Sequence, residues 1–428
     1  MTIPHSEAPI RVAVTGARGG YARTLLAQLR DTADMVPAIL VDPDTDGVQA
    51  LVDELGIRAA RVVAGREDIH WSDVDVLVEA TGNVPAGIAY ATAAIDNGVS
   101  VVMVSKEVET VAGVALSGRA RTAGVRYLPG DGDQPANLIR LLAWVERVGL
   151  EVVALGKSSE YDLVFDPDAG TVSQLDEVVP APRLAGLLRL GDDVRGTLDA
   201  RADAVSALQR RAAADHCEMT VVAQYVGAGA DREDLHYPVA RPAELADVYA
   251  LREHGGIIGT PRSVDVFSAL RLPGEASFAG GVFAVVRTTD PETWRTLAGK
   301  GHVVSRDGRY ACIFWPYHLM GVETPLTIGA AHDPGTPQPA PRQHVVLAGR
   351  AVQDTAAGTV FQVHGHHHEI DGVDPVIRPG TDDAAPFYLL GGARLRHDVP
   401  AGHLIELDDL DGVDPAAAEL FRVGRTQH

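Results

Sequence analysis

The side chains best suited to acid–base chemistry in this sequence are its lysines. Only three of the 37 Lys and Arg residues are lysines: Lys106, Lys157 and Lys300. A lysine ammonium can lose its proton when it is desolvated, whereas an arginine guanidinium stays charged. Lys157 is therefore our first candidate for the catalytic proton acceptor beside a substrate oxygen, because burial would lower its pKa towards neutrality. Lys106 is the second catalytic candidate.

Carboxylates form a second group of candidates. Asp131 and Asp133 flank Gly132 just before a predicted helix that contains Pro135 in its first turn. One interpretation is that Asp133 caps this helix. The other is that the pair binds substrate hydroxyls, assists catalysis or ligates a hard divalent cation such as Mg²⁺ or Mn²⁺, with Glu107 as a third ligand.

Further polar residues are predicted to contact a small-molecule substrate. His318 could polarise a substrate carbonyl as a catalytic residue, although a lone histidine also fits a structural role. Lys300 lies between two glycines, as expected of an anion-binding loop. The predicted substrate-binding residues are Glu107, Asp131, Ser158, Lys300 and Tyr317.

A glycine-rich turn near the N-terminus predicts a dinucleotide site. Gly16, Gly19 and Ala22 have the spacing GxxGxxA, between an apolar strand and a helix. Such a turn brings the backbone close to a pyrophosphate, and the free amides of the helix N-terminus bind it. The predicted cofactor-binding residues of this turn are Gly16, Arg18, Gly19, Gly20, Tyr21 and Ala22.

The remainder of the cofactor path is predicted from later strand ends. Asp42 follows the second strand, 26 residues after Gly16. A carboxylate there accepts from the ribose hydroxyls of NAD and repels the 2′-phosphate of NADP, so we prefer NAD. NADP stays open because Arg18 could reach that phosphate. Ala80, Thr81 and Gly82 follow a later strand, and Lys106 follows the next, where the nicotinamide half should lie.

Strands that alternate with helices position these residues. The pattern predicts an α/β fold with an N-terminal Rossmann domain, a doubly wound parallel sheet, over residues 1–150. Residues 151–335 are predicted as an α+β catalytic and dimerisation domain, and residues 336–428 as a small all-β module. Within the middle domain we expect a strand over Glu151–Leu155 and a helix over Leu198–Ala214, and in the module a strand over Phe387–Leu390.

Composition narrows the class of protein further. A net charge of −21 disfavours nucleic acid and anionic membrane surfaces as partners. Two distant cysteines and the polar first residues favour a cytoplasmic protein. The histidines His364, His366, His367 and His368 are interpreted as an exposed loop.

Several stretches resemble the 1-deoxyxylulose-5-phosphate reductoisomerase-like family, whose Rossmann domain is of the homoserine dehydrogenase type. They are VEATG (78–82), GDGDQP (130–135), VVALGK (152–157), GKG (299–301) and PYHLMGVETPL (316–326), and DVPAGHLIELDDL (398–410) resembles the end of a SAF module. The resemblance implies NADPH-dependent isomerisation and reduction of a phosphorylated ketose with a divalent metal. It also implies a homodimer or homotetramer.

Together these features predict an NAD(P)-dependent oxidoreductase that acts on CH–OH groups of a small polyhydroxy or keto substrate, phosphorylated or not. Two alternatives stay open. One is a homoserine-dehydrogenase-like β-hydroxy acid dehydrogenase without a metal. The other is a non-catalytic dinucleotide-binding sensor.

Overall fold

The computed structural model describes residues 8–57, 60–365 and 368–427. The chain forms two compact units. The first unit comprises Met1–Ala136, Leu319–Pro375 and Gly380–His428, and the second comprises Asn137–His318 and Val376–Pro379. The three-domain division stays a prediction. No helix of the described ranges combines the length and the apolar character needed to cross a membrane.

The first unit is built on a six-stranded parallel sheet. Its strands are β1 (Ile10–Thr15), β2 (Met35–Val41), β3 (Arg61–Val63), β4 (Val76–Glu79), β5 (Ser100–Met103) and β6 (Tyr127–Pro129). The connecting helices are α1 (Gly20–Arg30), α2 (Thr45–Leu55), α3 (Val84–Asp96) and α4 (Lys106–Ala123). The order β3-β2-β1-β4-β5-β6 reverses direction between β1 and β4. This is the doubly wound Rossmann arrangement, and its ligand crevice lies at the carboxyl ends of those two strands.

Alternating side chains on these strands supply both faces of the sheet. Val12 and Val14 belong to one apolar cluster, and Ala13 between them belongs to the other. The first cluster includes α1 and α2, and the second includes α3 and α4. Because both faces are buried, the strands are nearly all apolar.

The second unit contains a mixed sheet. Its elements are α5 (Gln134–Arg147, which begins in the first unit), β7 (Glu151–Ser158), β8 (Leu163–Asp166), β9 (Thr171–Gln174), β10 (Glu177–Pro180), α6 (Val194–Ala204), α7 (Ala213–Val226), β11 (Gly229–Ala230), β12 (Val239–Ala240), α8 (Leu245–Val248), β13 (Ser263–Arg271), β14 (Val282–Arg287), α9 (Pro291–Ala298), β15 (Val303–Val304) and β16 (Tyr310–Trp315). The main strand order is β10-β9-β8-β13-β7-β14-β16-β15. Strand β7 pairs in parallel with β13 and antiparallel with β14.

Two expectations for this unit need correction. The strand predicted to end at Leu155 continues to Ser158, so Lys157 lies inside it. Glycine at position 156 permits this continuation, because a Cβ there would collide with the carbonyl oxygen of Asp265. The single helix predicted over Leu198–Ala214 is wrong: α6 ends at Ala204, and α7 begins at Ala213.

The C-terminal elements belong mainly to the first unit. They are α10 (Thr324–His332), β17 (Val345–Ala351), β18 (Val363–His364), β19 (Glu369–Ile370), β20 (Val373–Pro379), β21 (Arg394–Leu395), β22 (Leu410–Asp411) and α11 (Pro415–Thr426). The sheets β17-β20-β19-β18 and β21-β22 are small. The predicted strand Phe387–Leu390 is instead a 3₁₀ turn over Phe387–Leu389. Helix α10 packs on the α1/α2 face of the Rossmann sheet, and α11 packs on the α3/α4 face. The α/β fold class is confirmed.

Candidate active site

The glycine-rich turn has the backbone that a pyrophosphate site requires. Gly16 has φ 62°, which favours glycine, and a Cβ on it would collide with the carbonyl oxygen of Ala80. The Gly19 amide donates to the Gly16 carbonyl at 2.9 Å and closes the turn. Gly20 has open space where a Cβ would lie, so the backbone is accessible.

Helix α1 starts directly after this turn. Its N-cap residue, Gly19, makes no side-chain cap, and the first turn carries no acidic residue. The first amides of a helix lack intrahelical partners and attract anions. The turn therefore fits a dinucleotide pyrophosphate, with Ala22 buried where the helix packs on the sheet.

Asp42 follows β2 and organises the neighbouring loop. Its two oxygens accept from the Arg18 amide at 3.1 Å and from the Asp44 amide at 2.9 Å. The Arg18 guanidinium is half-exposed and pairs with Asp44 at 3.2 Å. A carboxylate oxygen accepts more than one hydrogen bond, so Asp42 can still receive a ribose hydroxyl.

The turn Ala80–Thr81–Gly82 is stabilised by hydrogen bonds to Glu79, the buried last residue of β4. Oε1 of Glu79 accepts from the Thr81 amide at 3.0 Å and from the Thr81 hydroxyl at 2.6 Å. The Gly82 amide donates to the hydroxyl of Ser105, the N-cap residue of α4, at 2.8 Å. This network joins the ends of β4 and β5.

Lys106 and Asp133 form an ion pair in the first unit. Lys106 is the first residue of α4, and its Nζ lies 3.3 Å from an Asp133 carboxylate oxygen. Their side chains are 26% and 15% exposed, so the pair is partly accessible. Asp133 also accepts from the Gln134 amide at 3.0 Å at the start of α5. The contact with Gln134 agrees with the predicted helix cap, and the predicted role of Asp133 in substrate binding, catalysis or metal ligation stays a prediction.

The loop that carries Asp133 is fixed by α10. The Tyr21 hydroxyl bonds to the Thr324 hydroxyl, which donates to the Asp131 carbonyl at 3.0 Å. The Asp131 amide donates to the Thr327 hydroxyl at 2.8 Å. Burial raises the pKa of Tyr21, so its hydroxyl stays protonated and acts as the donor to Thr324.

Glu107, the third predicted metal ligand, lies near a histidine side chain. Its Oε1 lies 3.5 Å from Nδ1 of His368. Within the described residues, no group of three or more His, Cys, Asp or Glu side chains is placed to hold a metal ion. His364 pairs with Asp371 at 2.8 Å, and His366 and His367 lie outside the described residues.

In the second unit Lys157 is buried in a cluster of carboxylates. Its Nζ lies 2.7 Å from Oδ1 of Asp215 and also bonds to Glu218. The Lys157 side chain is only 2% exposed and each carboxylate 4%. The Tyr237 hydroxyl donates to the other Asp215 oxygen at 3.1 Å.

The expected lowering of the Lys157 pKa is wrong. Burial alone would lower it, but the charges and hydrogen bonds of Asp215 and Glu218 outweigh burial and raise the pKa of Lys157 above its ordinary value. In this setting Lys157 is a fixed ammonium and not a proton acceptor at neutral pH.

The other predicted residues of the second unit lie in three places. Ser158 is fully buried, and its hydroxyl donates to the Phe278 carbonyl at 2.7 Å. His318 is half-buried, with Nδ1 3.2 Å from the carbonyl of Gly280, which lies just before β14. Tyr317 is exposed beside it, and Lys300 is exposed after α9. Their roles stay predictions.

Several residues of these sites were not predicted. Asp215 and Glu218 have the i, i+3 spacing that places two side chains on one helix face, which could have revealed them. Thr324 and Thr327 lie in and just beyond a quoted stretch, and Glu79 directly precedes the Ala80–Gly82 turn.

One family model matches part of this chain. The family model described as "Oxidoreductase DRL, catalytic domain" matches residues 211–324, which include α7 and its carboxylates. Residues 211–324 therefore resemble the catalytic domain of an oxidoreductase. A comparison with curated proteins finds no match.

The solved structures that match this chain are distant from it. GenD2 from gentamicin A biosynthesis, in complex with NAD, is 16% identical over 79% of this chain and 91% of its own, with a TM-score of 0.39. Myo-inositol dehydrogenase from Corynebacterium glutamicum is 19% identical over 38% of this chain and 48% of its own, with a TM-score of 0.28. WlbA dehydrogenase from Bordetella pertussis, in complex with NADH and UDP-GlcNAcA, is 18% identical over 39% and 47%, with a TM-score of 0.29. The chain thus spans about half the length of the latter two dehydrogenases.

Proposed function

We propose that the protein is a nicotinamide-dinucleotide-dependent oxidoreductase in which the Lys106–Asp133 pair handles the proton of a carbinol–carbonyl conversion. The observation that carries the proposal is the position of this pair. It follows β5 and β6 in the same unit as the Gly16 turn and is partly accessible. Dinucleotide-dependent enzymes place reacting groups at this edge of the sheet.

The residues that would hold the cofactor are the amides of Gly20 and Tyr21 for the pyrophosphate and Asp42 for the adenosine ribose. Asp42 makes NAD the preferred form, since its charge opposes a 2′-phosphate. The chemistry that a nicotinamide supplies when bound is hydride exchange with a carbinol or carbonyl carbon.

Lys106 is proposed to act on the substrate oxygen. Asp133, 3.3 Å away, favours the charged ammonium. That ammonium donates a proton to the oxygen during reduction of a carbonyl and stabilises the negative charge that develops there. In the oxidation direction the same nitrogen, once neutral, accepts the proton.

The proposed substrate is a small uncharged polyhydroxy compound. The ammonium groups of both Lys106 and Lys157 already have carboxylate partners, so neither offers an open positive charge to a phosphate. The net charge of −21 also disfavours an anionic substrate.

The proposed oxidoreductase activity is tested by measuring oxidation of the reduced cofactor. NADH and NADPH oxidation is measured with four- to six-carbon keto and aldehyde sugars, free and phosphorylated, with and without Mg²⁺. We expect NADH oxidation with a free sugar, and a decrease in kcat of about 100- to 10,000-fold in Lys106→Met. Arg119→Met on the same helix removes a half-exposed surface pair with Asp96 and should retain activity. Equal activity of Lys106→Met and Arg119→Met would overturn the role of Lys106, and turnover with none of the compounds would overturn the enzymatic proposal.

A further inference from the structure

Glu79 is a buried acid that the chemistry proposed above does not use. It ends β4, the strand on one side of the switch point, and its side chain is fully buried. Its neighbours come from three elements. Thr15 at the end of β1 donates to Oε1 at 3.2 Å, Gly87 of α3 lies against Oε2, and Val108 of α4 packs beside it.

The two carboxyl oxygens have unequal surroundings. Oε1 accepts the hydrogen bonds from Thr15 and Thr81, whereas Oε2 is buried without a well-formed hydrogen bond from the described residues. An ionised carboxylate with one unsolvated oxygen is costly, and protonation of that oxygen removes most of the cost. Burial accordingly raises the pKa of Glu79, and the nearby hydroxyls of Ser105 and Thr81 oppose part of the shift.

The charged groups around Glu79 do not compensate it. Tyr90 of α3 is a titratable group that senses Glu79, and Glu67, Arg66 and Asp42 act on the same tyrosine. Burial raises the pKa of Tyr90, so its hydroxyl stays neutral. The contacting side chains of Thr15, Ser105 and Val108 carry no charge, and the nearest lysine in sequence, Lys106, pairs with Asp133.

The glycine-rich turn at Gly16 contacts Ala80, which directly follows Glu79 in sequence. A Cβ on Gly16 would touch the Ala80 carbonyl and the Thr81 Cα, so the turn and Thr81 are in direct contact. Thr81 in turn makes two hydrogen bonds to Glu79. A pyrophosphate at the turn adds negative charge close to a poorly solvated carboxylate, which favours its neutral form.

We propose that Glu79 takes up a proton when a dinucleotide binds, so that the protein with neutral Glu79 binds the cofactor more tightly than the protein with ionised Glu79. The inference rests on the proposed dinucleotide site but not on turnover. When pH rises between the pKa of Glu79 in the free protein and its higher pKa in the complex, affinity should fall by up to about tenfold per pH unit. Outside that window the affinity is independent of this group.

Calorimetric titration of the full chain with NADH, in buffers of different ionisation enthalpy, counts the protons taken up. We expect uptake of up to one proton by the wild-type protein and a pH-dependent Kd. Glu79→Gln should bind NADH with no uptake and a flat pH profile. Glu109→Gln, which alters another buried carboxyl of the same unit, should keep the wild-type uptake.

The outcomes separate the two proposals. If NADH does not bind to the wild-type protein at any pH, the dinucleotide site itself is wrong. If NADH binds without proton uptake, or if Glu79→Gln retains the uptake, only the role of Glu79 is wrong. If Glu79→Gln fails to fold, infrared difference spectra of the wild-type protein test the role of Glu79 instead. A protonated carboxyl band must appear when NADH binds, and its absence would overturn the proposal.

Discussion

Removal of the Lys157 ammonium should destabilise the second unit strongly. Lys157 is 2% exposed, and Asp215 and Glu218 are each 4% exposed, so Lys157→Met leaves two carboxylates buried without their cation. Breaking one buried pair costs about 3–5 kcal/mol, because the remaining charge is desolvated and unpaired. Arg287→Met provides a matched control on the adjacent strand β14. It breaks a pair with Glu151 whose side chains are 34% and 53% exposed, which should cost about 0–1 kcal/mol.

Urea unfolding followed by tryptophan fluorescence measures this difference. Three of the four tryptophans, Trp144, Trp294 and Trp315, lie in the second unit and report mainly on it. We expect the midpoint of Lys157→Met to fall by about 1 to 2 M urea relative to Arg287→Met. Adding Asp215→Asn and Glu218→Gln to Lys157→Met should recover part of the loss, because the uncompensated charges are then removed. Equal midpoints for Lys157→Met and Arg287→Met would refute the reasoning.

Three further outcomes follow from the same structure. Gly16→Ala should weaken NADH binding at least about tenfold, since the left-handed φ of Gly16 and the Ala80 carbonyl both oppose a Cβ. The control is Gly124→Ala, where φ is 75° and the space for a Cβ is open. This variant should lower stability but not affinity. Cys217 and Cys312 are buried, and burial raises the pKa of Cys312. A thiol reagent should therefore label neither cysteine until the protein unfolds. Rapid labelling of the native protein would contradict this prediction. Because the folded pKa of Glu79 is raised, its contribution to stability falls as pH rises from its unfolded pKa through its folded pKa. Glu79→Gln should therefore gain stability relative to the wild type over that range, and a constant difference in thermal melting would argue against it.

The sequence predicted the first unit well because its signals are local. Apolar strands, the GxxGxxA turn and the following helix lie within a few residues of one another, and β1 and α1 form close to where they were expected. In the second unit α7 is buried almost throughout, including Asp215, His216 and Glu218. A helix without a polar face lacks the periodicity that reveals helices in sequence, so it was missed.

Prediction of the candidate site from sequence was limited in a similar way, because it depends on contacts between residues that are distant in the chain. Lys157 was singled out as a candidate proton acceptor, but its protonation depends on carboxylates 58 and 61 residues away in sequence. The pKa of a buried group is set by partners that only the tertiary fold brings together. For Asp133 the alternatives were a helix cap and a substrate-binding, catalytic or metal-ligating role; the structure shows its bonds to Gln134 and Lys106, and the functional role stays a prediction.

Because α10 and α11 pack on the Rossmann sheet, the sheet is fully covered only late in biosynthesis. The strands of that sheet are complete by residue 129, but α11 begins only at residue 415. At ribosomal rates of about 5–20 residues per second, the nascent chain waits roughly tens of seconds before both apolar faces can be covered. During translation the first unit therefore exposes apolar surfaces of the kind that chaperones recognise. A fragment truncated after the last strand of the sheet would keep those surfaces exposed permanently, which makes the N-terminal third a poor unit for separate expression.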